Sequence, residues 1–344
     1  MKILKYLFFL LLIGAIGIIV FAATKNGKFQ IEQSKLINAP SEVIFNNVNN
    51  LKNWEIWGPW KEGDPSMVFR YAENTTGKGA SYSWTSTTQG NGKITTTSVI
   101  PNHEIVQEIT FDTPFGESKS NVYWTFEEQD SGETKVSWGM TGEQSLFEKV
   151  YFLFQDETLE EGIVPMYKKG LENLERVINV EVAKYNINVD GVTDYGGGYY
   201  MYITASVQQS AIAQKMAEMF PVVINYMSAN EIPISGMPLT VYKEMNNDLG
   251  TAIISTGIPV AERVIVPWNN DVLCGRLPNG KVLKTTLKGN YTNLGEAWAK
   301  AYEYMAQNGI EASWNSEAFE VYVTDPEIVK NPAEWITHLY IPVK

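Results

Sequence analysis

The hydrophobic pattern of the chain changes twice before its midpoint. Residues 7–23 form an unbroken apolar stretch of 17 residues without a charge. From about residue 30 to 141, short alternating runs are separated by glycine, asparagine and aspartate clusters, as is typical of antiparallel strands. Residues 159–178 then repeat apolar side chains at helical spacing, and Pro165 predicts a kink or a break in that helix. The pattern therefore predicts a charge-free segment, a sheet and a covering helix.

Aromatic residues recur on one face of the predicted strands. Tyr82 and Trp84 are two residues apart, and Trp124 and Trp138 alternate in the same way with apolar neighbours. A sheet with one apolar face needs a cover, which the following helix can supply. Trp84, Trp124 and Trp138 are therefore candidates for lining an internal cavity, although rings at such positions also simply fill cores.

Residues 37–45 and the tryptophan-rich stretch 54–60 resemble the start of the polyketide-cyclase-like, START-related (SRPBCC) superfamily. The resemblance implies a helix-grip fold, in which an antiparallel sheet and a long C-terminal helix enclose an apolar cavity. We assign residues 30–185 to this first domain. Residues 1–29 are assigned to a membrane anchor and the segment that follows it.

The second half of the chain repeats one pattern. Residues 186–198 contain several glycines and few periodic apolar positions, so we predict a linker there. The order strand, helix, strand, strand then occurs in residues 199–260 and again in residues 281–343, and Gly309 is typical of a helix C-cap. This duplication predicts two pseudo-symmetric halves with a groove between them. The whole chain is therefore expected to be α+β.

A series of ordered motifs in residues 199–344 resembles the GyrI-like small-molecule-binding family. The motifs are residues 236–238, 257–260, 277–280, 287–291, 308–310, 320–326 and 335–343. The family includes the effector-binding halves of AraC-type and MerR-type multidrug regulators. The resemblance implies that this domain binds small, often aromatic or cationic organic molecules, and that the glutamate at position 320 lies in the ligand pocket.

Glu320 is the main candidate for a ligand contact. On its predicted strand, Glu320 and Tyr322 point one way and the apolar residues at 319, 321 and 323 point the other. We expect the apolar set to pack under the helices and Glu320 to face the groove. A carboxylate among aromatic rings suits a cationic ligand, and a desolvated carboxyl could also act as acid or base. Further candidate ligand contacts are Tyr202, Tyr291, Trp298 and Trp314.

Composition narrows the range of partners. Asp and Glu number 39 against 27 Lys and Arg, and the net charge of −12 argues against nucleic acid, which needs a basic footprint. One cysteine, Cys274, and two histidines give no expected metal site, and no cofactor is expected. The oligomeric state is left open.

The apolar stretch 7–23 is just long enough to cross a bilayer. We favour an uncleaved single-pass anchor over a cleaved signal peptide, because Phe21 makes residues 21–23 a poor cleavage site. The absence of a nearby cysteine excludes a bacterial lipoprotein signal. Lysines on both sides barely bias the orientation, and the soluble domains are expected outside the cytoplasm.

Three functional hypotheses remain open. The first is a membrane-anchored, non-enzymatic binder or sensor of small hydrophobic or cationic molecules. The second is a hydrolase of small electrophilic compounds, with Glu320 as general acid–base and Tyr322 as a supporting hydroxyl. The third is a protein–protein interaction or inhibitor module, as in the gyrase-inhibitor relatives.

Overall fold

The computed structural model describes residues 2–113, 116–313 and 316–344. By their contacts these residues divide into two compact units, one ending at Glu181 and one beginning at Val182. Each unit is an antiparallel sheet with helices. The α+β class predicted from the sequence is confirmed.

The apolar N-terminal stretch forms helix α1 (Lys2–Ala23). In the described part of the chain, α1 is the one helix that is long and apolar enough to cross a membrane. Most of its large apolar side chains are exposed, including Leu10 and Ile13, so packing inside the protein does not explain its composition. Signal sequences near an N-terminus share these properties.

The first unit contains a seven-stranded antiparallel sheet in the order β1-β7-β6-β5-β4-β3-β2. Its strands are β1 (Lys28–Ile37), β2 (Val68–Tyr71), β3 (Ser81–Thr85), β4 (Gly92–Ile100), β5 (Glu104–Thr113), β6 (Gly116–Glu128) and β7 (Thr134–Glu143). Its further helices are α2 (Ser41–Asn49), α3 (Trp54–Trp57), α4 (Trp60–Gly63), α5 (Leu146–Phe152) and α6 (Leu159–Val182).

Strand alternation places large rings of this sheet on the face that α6 covers. Trp124 and Trp138 lie opposite each other on β6 and β7, and their rings stack with centroids 4.4 Å apart. Tyr167 of α6 stacks on Trp138 with centroids 3.9 Å apart. Each buried ring removes roughly 150–250 Å² from water, which is worth about 4–6 kcal/mol as an upper estimate. This helix-on-sheet contact gives the expected helix-grip arrangement.

Helix α6 continues through Pro165, so of the predicted kink or break the break is wrong and the kink stays a prediction. Proline in a helix interior removes one backbone hydrogen bond and crowds the preceding turn. The turns beyond Pro165 bury an apolar stripe that includes Tyr167, Leu171 and Ile178. Burial of this stripe offsets the lost hydrogen bond.

The second unit contains an eight-stranded antiparallel sheet in the order β12-β9-β11-β10-β14-β15-β13-β8. Its strands are β8 (Asn186–Tyr195), β9 (Gly198–Gln208), β10 (Leu239–Asn246), β11 (Thr251–Val260), β12 (Leu273–Leu277), β13 (Gly280–Lys288), β14 (Ala318–Tyr322) and β15 (Ile336–Pro342). Its helices are α7 (Ile212–Ala229) and α8 (Leu294–Asn308).

The linker predicted for residues 186–198 is wrong, because most of this segment is strand β8. The strand pairs with β13 along its whole length. Gly191 has a φ of 97° and lies where the register with β13 shifts, so it forms a β-bulge rather than a loop. Ile187 and Val189 turn apolar side chains toward the clusters under α8. Gly191 therefore bends an edge strand, whereas Gly196 and Gly197 connect that strand to β9.

Helices α7 and α8 cover the same face of the second sheet. Helix α7 packs on apolar residues of β9 and β11, including Met201 and Ile254. Helix α8 packs on β13 and β15, including Leu283 and Leu339. Gly309 ends α8 in the left-handed conformation at φ 64°, as the sequence predicted. The units β9-α7-β10-β11 and β13-α8-β14-β15 form the two predicted halves.

Candidate functional site

A row of side chains crosses the middle of the second sheet on the helix-covered face. Thr256 of β11 is paired with Thr240 of β10, which is paired with Glu320 of β14. The row continues through Leu339 of β15 to Thr285 of β13. All five residues are at most 1% exposed. Four of the five are polar, and buried polar groups need hydrogen-bond partners. This row therefore differs from the apolar clusters that make up the rest of the core.

The Glu320 carboxylate is held by neutral donors. Trp298 Nε1 on α8 donates to one oxygen over 2.6 Å, and the Tyr322 hydroxyl donates to the other over 2.6 Å. Tyr242 of β10 also forms a hydrogen bond with this carboxylate. No Lys, Arg or His in the described ranges forms an ion pair with Glu320. The buried carboxylate thus has donors but no counter-ion there.

Burial controls the protonation of these groups. Desolvation raises the pKa of Glu320 above its ordinary value, and the hydrogen bonds from Tyr322, Trp298 and Tyr242 oppose only part of that effect. Burial also raises the pKa of the Tyr322 and Tyr242 hydroxyls, with the nearby Glu320 charge as the next cause. The tyrosines therefore remain neutral donors, whereas Glu320 accepts a proton at a higher pH than an exposed glutamate does.

Glu320 and Tyr322 share one face of β14, but that face lies under the helices. Phe319 points to the opposite face and packs there with Tyr200, Leu239 and Val241. The expectation that the apolar residues of this strand pack under the helices is therefore wrong. The second domain buries apolar side chains on both faces of its sheet, so alternation alone does not identify the helix-covered side.

Several sequence candidates lie around Glu320. Trp298 and Tyr322 contact it directly, and the ring of Tyr291 lies 5.6 Å from that of Tyr322. The half-buried ring of Trp335 lies against Tyr291, with centroids 4.8 Å apart. These rings surround the Glu320–Tyr322 pair where α8 meets the sheet.

Tyr202 does not belong to this cluster. Met201 and Ile203 are the β9 residues that face α7, so Tyr202 between them points to the opposite face and lies against Tyr200, with ring centroids 5.0 Å apart. The predicted placement of Tyr202 beside Glu320 is wrong for this reason. Trp314 lies outside the described residues.

Other members of the cluster were not among the sequence candidates. Tyr242 is one, although its spacing of two from Thr240 places it on the same face of β10. Met216 and Phe220 of α7 contact Tyr322, with Sδ 3.6 Å from the hydroxyl oxygen and ring centroids 5.9 Å apart. Both residues lie on the apolar face of α7, and apolar helical spacing gives no sign of a contact with a tyrosine hydroxyl.

The first domain contains a separate cavity of about 1060 Å³. Ligand pockets for drug-sized molecules usually measure roughly 300–1,000 Å³, so this cavity is large enough for such a ligand. Its walls are mainly aromatic and aliphatic. The ring-bearing residues that line it are Phe29, Trp54, Trp60, Phe69, Tyr82, Trp84, Phe111, Trp138, Tyr151, Phe152 and Tyr167.

The three tryptophans expected at this cavity occupy different positions. Trp84 and Trp138 line it, whereas Trp124 is fully buried, stacks on Trp138 and is not part of the wall. The indole Nε1 of Trp138 has no hydrogen-bond partner among the described residues, and the same is true of Trp57 and Trp124. An unpaired buried donor costs about 1–3 kcal/mol.

Fold and sites together define a two-domain protein. A helix-grip domain with a large aromatic cavity is combined with a domain of duplicated strand–helix units around a buried carboxylate. Residues 28–179 match the family model described as polyketide cyclase / dehydrase and lipid transport. Residues 199–344 match the model of the GyrI-like small molecule binding domain. Both resemblances stated from the sequence are confirmed by these matches.

Several solved structures are similar to parts of the chain. The EcmrR C-terminal domain has 15% identity and a TM-score of 0.41, covering 46% of this chain and 98% of that one. Protein CV1439 from Chromobacterium violaceum has 14% identity and a TM-score of 0.33, with coverages of 43% and 96%. The Aha1 dimer from Colwellia psychrerythraea has 13% identity and a TM-score of 0.33, with coverages of 44% and 97%. No curated protein matches the chain.

Proposed function

We propose that this protein is a membrane-anchored, non-enzymatic binder of small hydrophobic or cationic organic molecules, and that Glu320 and its surrounding rings hold the ligand in the second domain. The observation that carries the proposal is the environment of Glu320. Its carboxylate is 1% exposed and is met by neutral donors, without an ion pair to any described residue. A buried charge is costly unless it is paired, so a cationic ligand is the partner that this site lacks.

The surrounding rings support the same ligand class. Aromatic faces attract cations, and the attraction is stronger where water is excluded. Tyr242 and Trp298 stand edge to face with centroids 5.6 Å apart, and both contact the carboxylate. Because Glu320 is 1% exposed, a ligand reaches it only if a neighbouring side chain moves, and the half-buried Trp298 is the side chain that we expect to move.

The test is calorimetric titration of the full chain, held in lipid nanodiscs, with tetraphenylphosphonium. Glu320→Gln is expected to weaken binding at one site by about tenfold or more, the scale of a lost charged interaction. Glu334→Gln removes an exposed carboxylate of the same domain and serves as the control. Unchanged binding in Glu320→Gln would remove Glu320 from the ligand site.

The membrane part of the proposal is supported by α1, which is long and apolar enough to span a bilayer and is exposed along most of its length. We place the soluble domains outside the cytoplasm. Mass spectrometry of the mature N-terminus, combined with alkaline carbonate extraction of membranes, tests the anchor. A mature chain that begins after residue 23 and is released by carbonate would show that this segment is a cleaved signal.

A second candidate function is hydrolysis of small electrophilic compounds. It is favoured by the raised pKa of Glu320, due chiefly to burial, and by the 2.6 Å hydrogen bond from Tyr322. Such a carboxyl exchanges a proton at a higher pH than an exposed glutamate does, and the hydroxyl can support it. Turnover of an electrophilic substrate that is lost in both Glu320→Gln and Tyr322→Phe would establish the enzyme. Turnover retained in both variants would exclude this site.

A further inference from the structure

The charged residues on the first-domain cavity all have the same sign. Among the described residues that line it there are five carboxylates and no Lys, Arg or His, although the chain contains 27 Lys and Arg. The five acidic residues, here called the cavity rim, are Asp112, Glu143, Glu148, Asp156 and Glu157. The nearby Lys149 does not line the cavity, and its side chain extends to Gly27.

The cavity rim is assembled from separate parts of the fold. Asp112 lies near the end of β5, Glu143 ends β7, and Glu148 belongs to α5. Asp156 and Glu157 lie between α5 and α6. None of the five forms an ion pair with a described residue. The fold thus brings together negative charges and leaves them without counter-ions in the described chain.

Most of the cavity rim is exposed, whereas several wall residues, including Trp54, Trp84 and Trp138, are buried. Four of the five residues are exposed, and only Glu148 is half-buried. Burial would raise the pKa of Glu148, but hydrogen bonds from Ser118 and Ser145 outweigh it and hold that pKa below its ordinary value. Glu148 therefore stays ionised at neutral pH. The cavity has a negatively charged mouth and an apolar interior.

The walls add a constraint on a ligand. Trp54, Trp60 and Trp84 line the cavity, and indole rings attract cations more strongly than other aromatic side chains do. Trp138 also lines it, but its ring is stacked on Trp124 and on Tyr167, so its faces are not available to a ligand. An apolar body and a positive charge are the features that fit this cavity.

We propose that the first-domain cavity binds amphipathic organic cations, a ligand class that rests on the binding function proposed above and extends it to a second site. The apolar body lies among the tryptophans and the cationic group lies at the cavity rim. A fatty acid or another anionic lipid would bring its charge against the rim carboxylates. Electrostatic repulsion at the mouth therefore selects against such ligands.

The experiment compares two probes of nearly equal shape and opposite charge, tetraphenylphosphonium and tetraphenylborate. Both are titrated calorimetrically into the full chain in lipid nanodiscs, in the Glu320→Gln background, with empty nanodiscs subtracted. The rim variant combines Glu143→Gln, Asp156→Asn and Glu157→Gln, and spares Glu148 because it caps α5. The matched control combines Glu73→Gln, Asp130→Asn and Glu172→Gln, three exposed acidic residues that do not line the cavity.

We expect the phosphonium to bind the Glu320→Gln protein and the borate to bind at least about tenfold more weakly, a factor that corresponds to about 1.4 kcal/mol. The rim variant should lose about tenfold in phosphonium affinity, and the matched control should keep it. The preference for the cation should shrink at about 1 M salt, where the Debye length is about 3 Å. Equal binding of both probes, or equal affinities of rim and control variants, would overturn the proposal.

The outcomes separate this site from that of the second domain. If the phosphonium binds only the parent chain and not the Glu320→Gln protein, the second-domain site stands and the cavity proposal fails. If Glu320→Gln leaves binding unchanged while the rim variant abolishes it, the cavity proposal stands and the assigned role of Glu320 fails. Two equivalents of phosphonium on the parent chain, one lost in Glu320→Gln and the second lost when the rim substitutions are added, would support both sites.

Discussion

The unliganded second domain should become less stable as the pH rises, and Glu320 should be the cause. Burial raises the pKa of Glu320 in the folded chain above that of the unfolded chain. Between these two pKa values the folded state binds more protons, so stability is complete below the ordinary glutamate pKa and is lost as the pH rises through the raised one. Each pH unit in that interval costs about 1.4 kcal/mol.

Glu320→Gln removes the charge but keeps an oxygen acceptor for Trp298 or Tyr322. We therefore expect this variant to lack the part of the pH dependence that Glu320 causes and to exceed the parent chain in stability at pH values above the raised pKa of Glu320. Differential scanning calorimetry of the full chain at a series of pH values measures both effects. Glu334→Gln carries the same charge change at an exposed position and should follow the parent profile. Parallel pH profiles for Glu320→Gln and the parent chain would refute the reasoning.

Two further predictions concern single contacts. Gly309→Ala should lower the free energy of unfolding by about 1 kcal/mol, because alanine is strained at a φ of 64°. Gly295→Ala inside the same helix faces open space and should raise the free energy of unfolding by about 0.5 kcal/mol. Urea denaturation measures both changes, and changes of the same sign would contradict the argument. Trp298→Phe removes the 2.6 Å donor to Glu320 and should raise its pKa further. The pH-dependent loss of stability should then extend to higher pH in calorimetry, and an unchanged profile would show that this hydrogen bond is not formed.

The inward direction of Glu320 could be predicted from the sequence, but the side on which the helices lie could not. Alternation on β14 correctly separates Glu320 and Tyr322 from Phe319. Both faces of this sheet bury apolar residues, so the pattern of one strand is equally compatible with helices on either side. Tyr202 was misplaced for the same reason, since its strand is apolar on both faces.

Glycine ends a helix at one position of this chain and forms a β-bulge at another, and the sequence alone does not distinguish these two roles. Gly309 ended a helix as expected, because a clear apolar period preceded it. Gly191 lies in the segment predicted to be a linker, yet it forms a bulge in β8, where the pairing partner lies about 90 residues further along the chain. The local composition does not predict pairing with a strand so distant in sequence. Which of Trp84, Trp124 and Trp138 reaches the cavity depended equally on elements remote in sequence.

The aromatic packing of the first domain has an optical consequence. Trp54, Trp57, Trp60, Trp124 and Trp138 form a network whose neighbouring ring centroids are 4.4–6.2 Å apart. At such separations excitation energy transfers between indoles before fluorescence is emitted, and their electronic transitions couple in near-ultraviolet circular dichroism. The five indoles therefore behave as one coupled group. A quencher bound against a single ring would reduce the fluorescence of the whole group, so fluorescence intensity reports that a molecule is bound but not which ring it contacts.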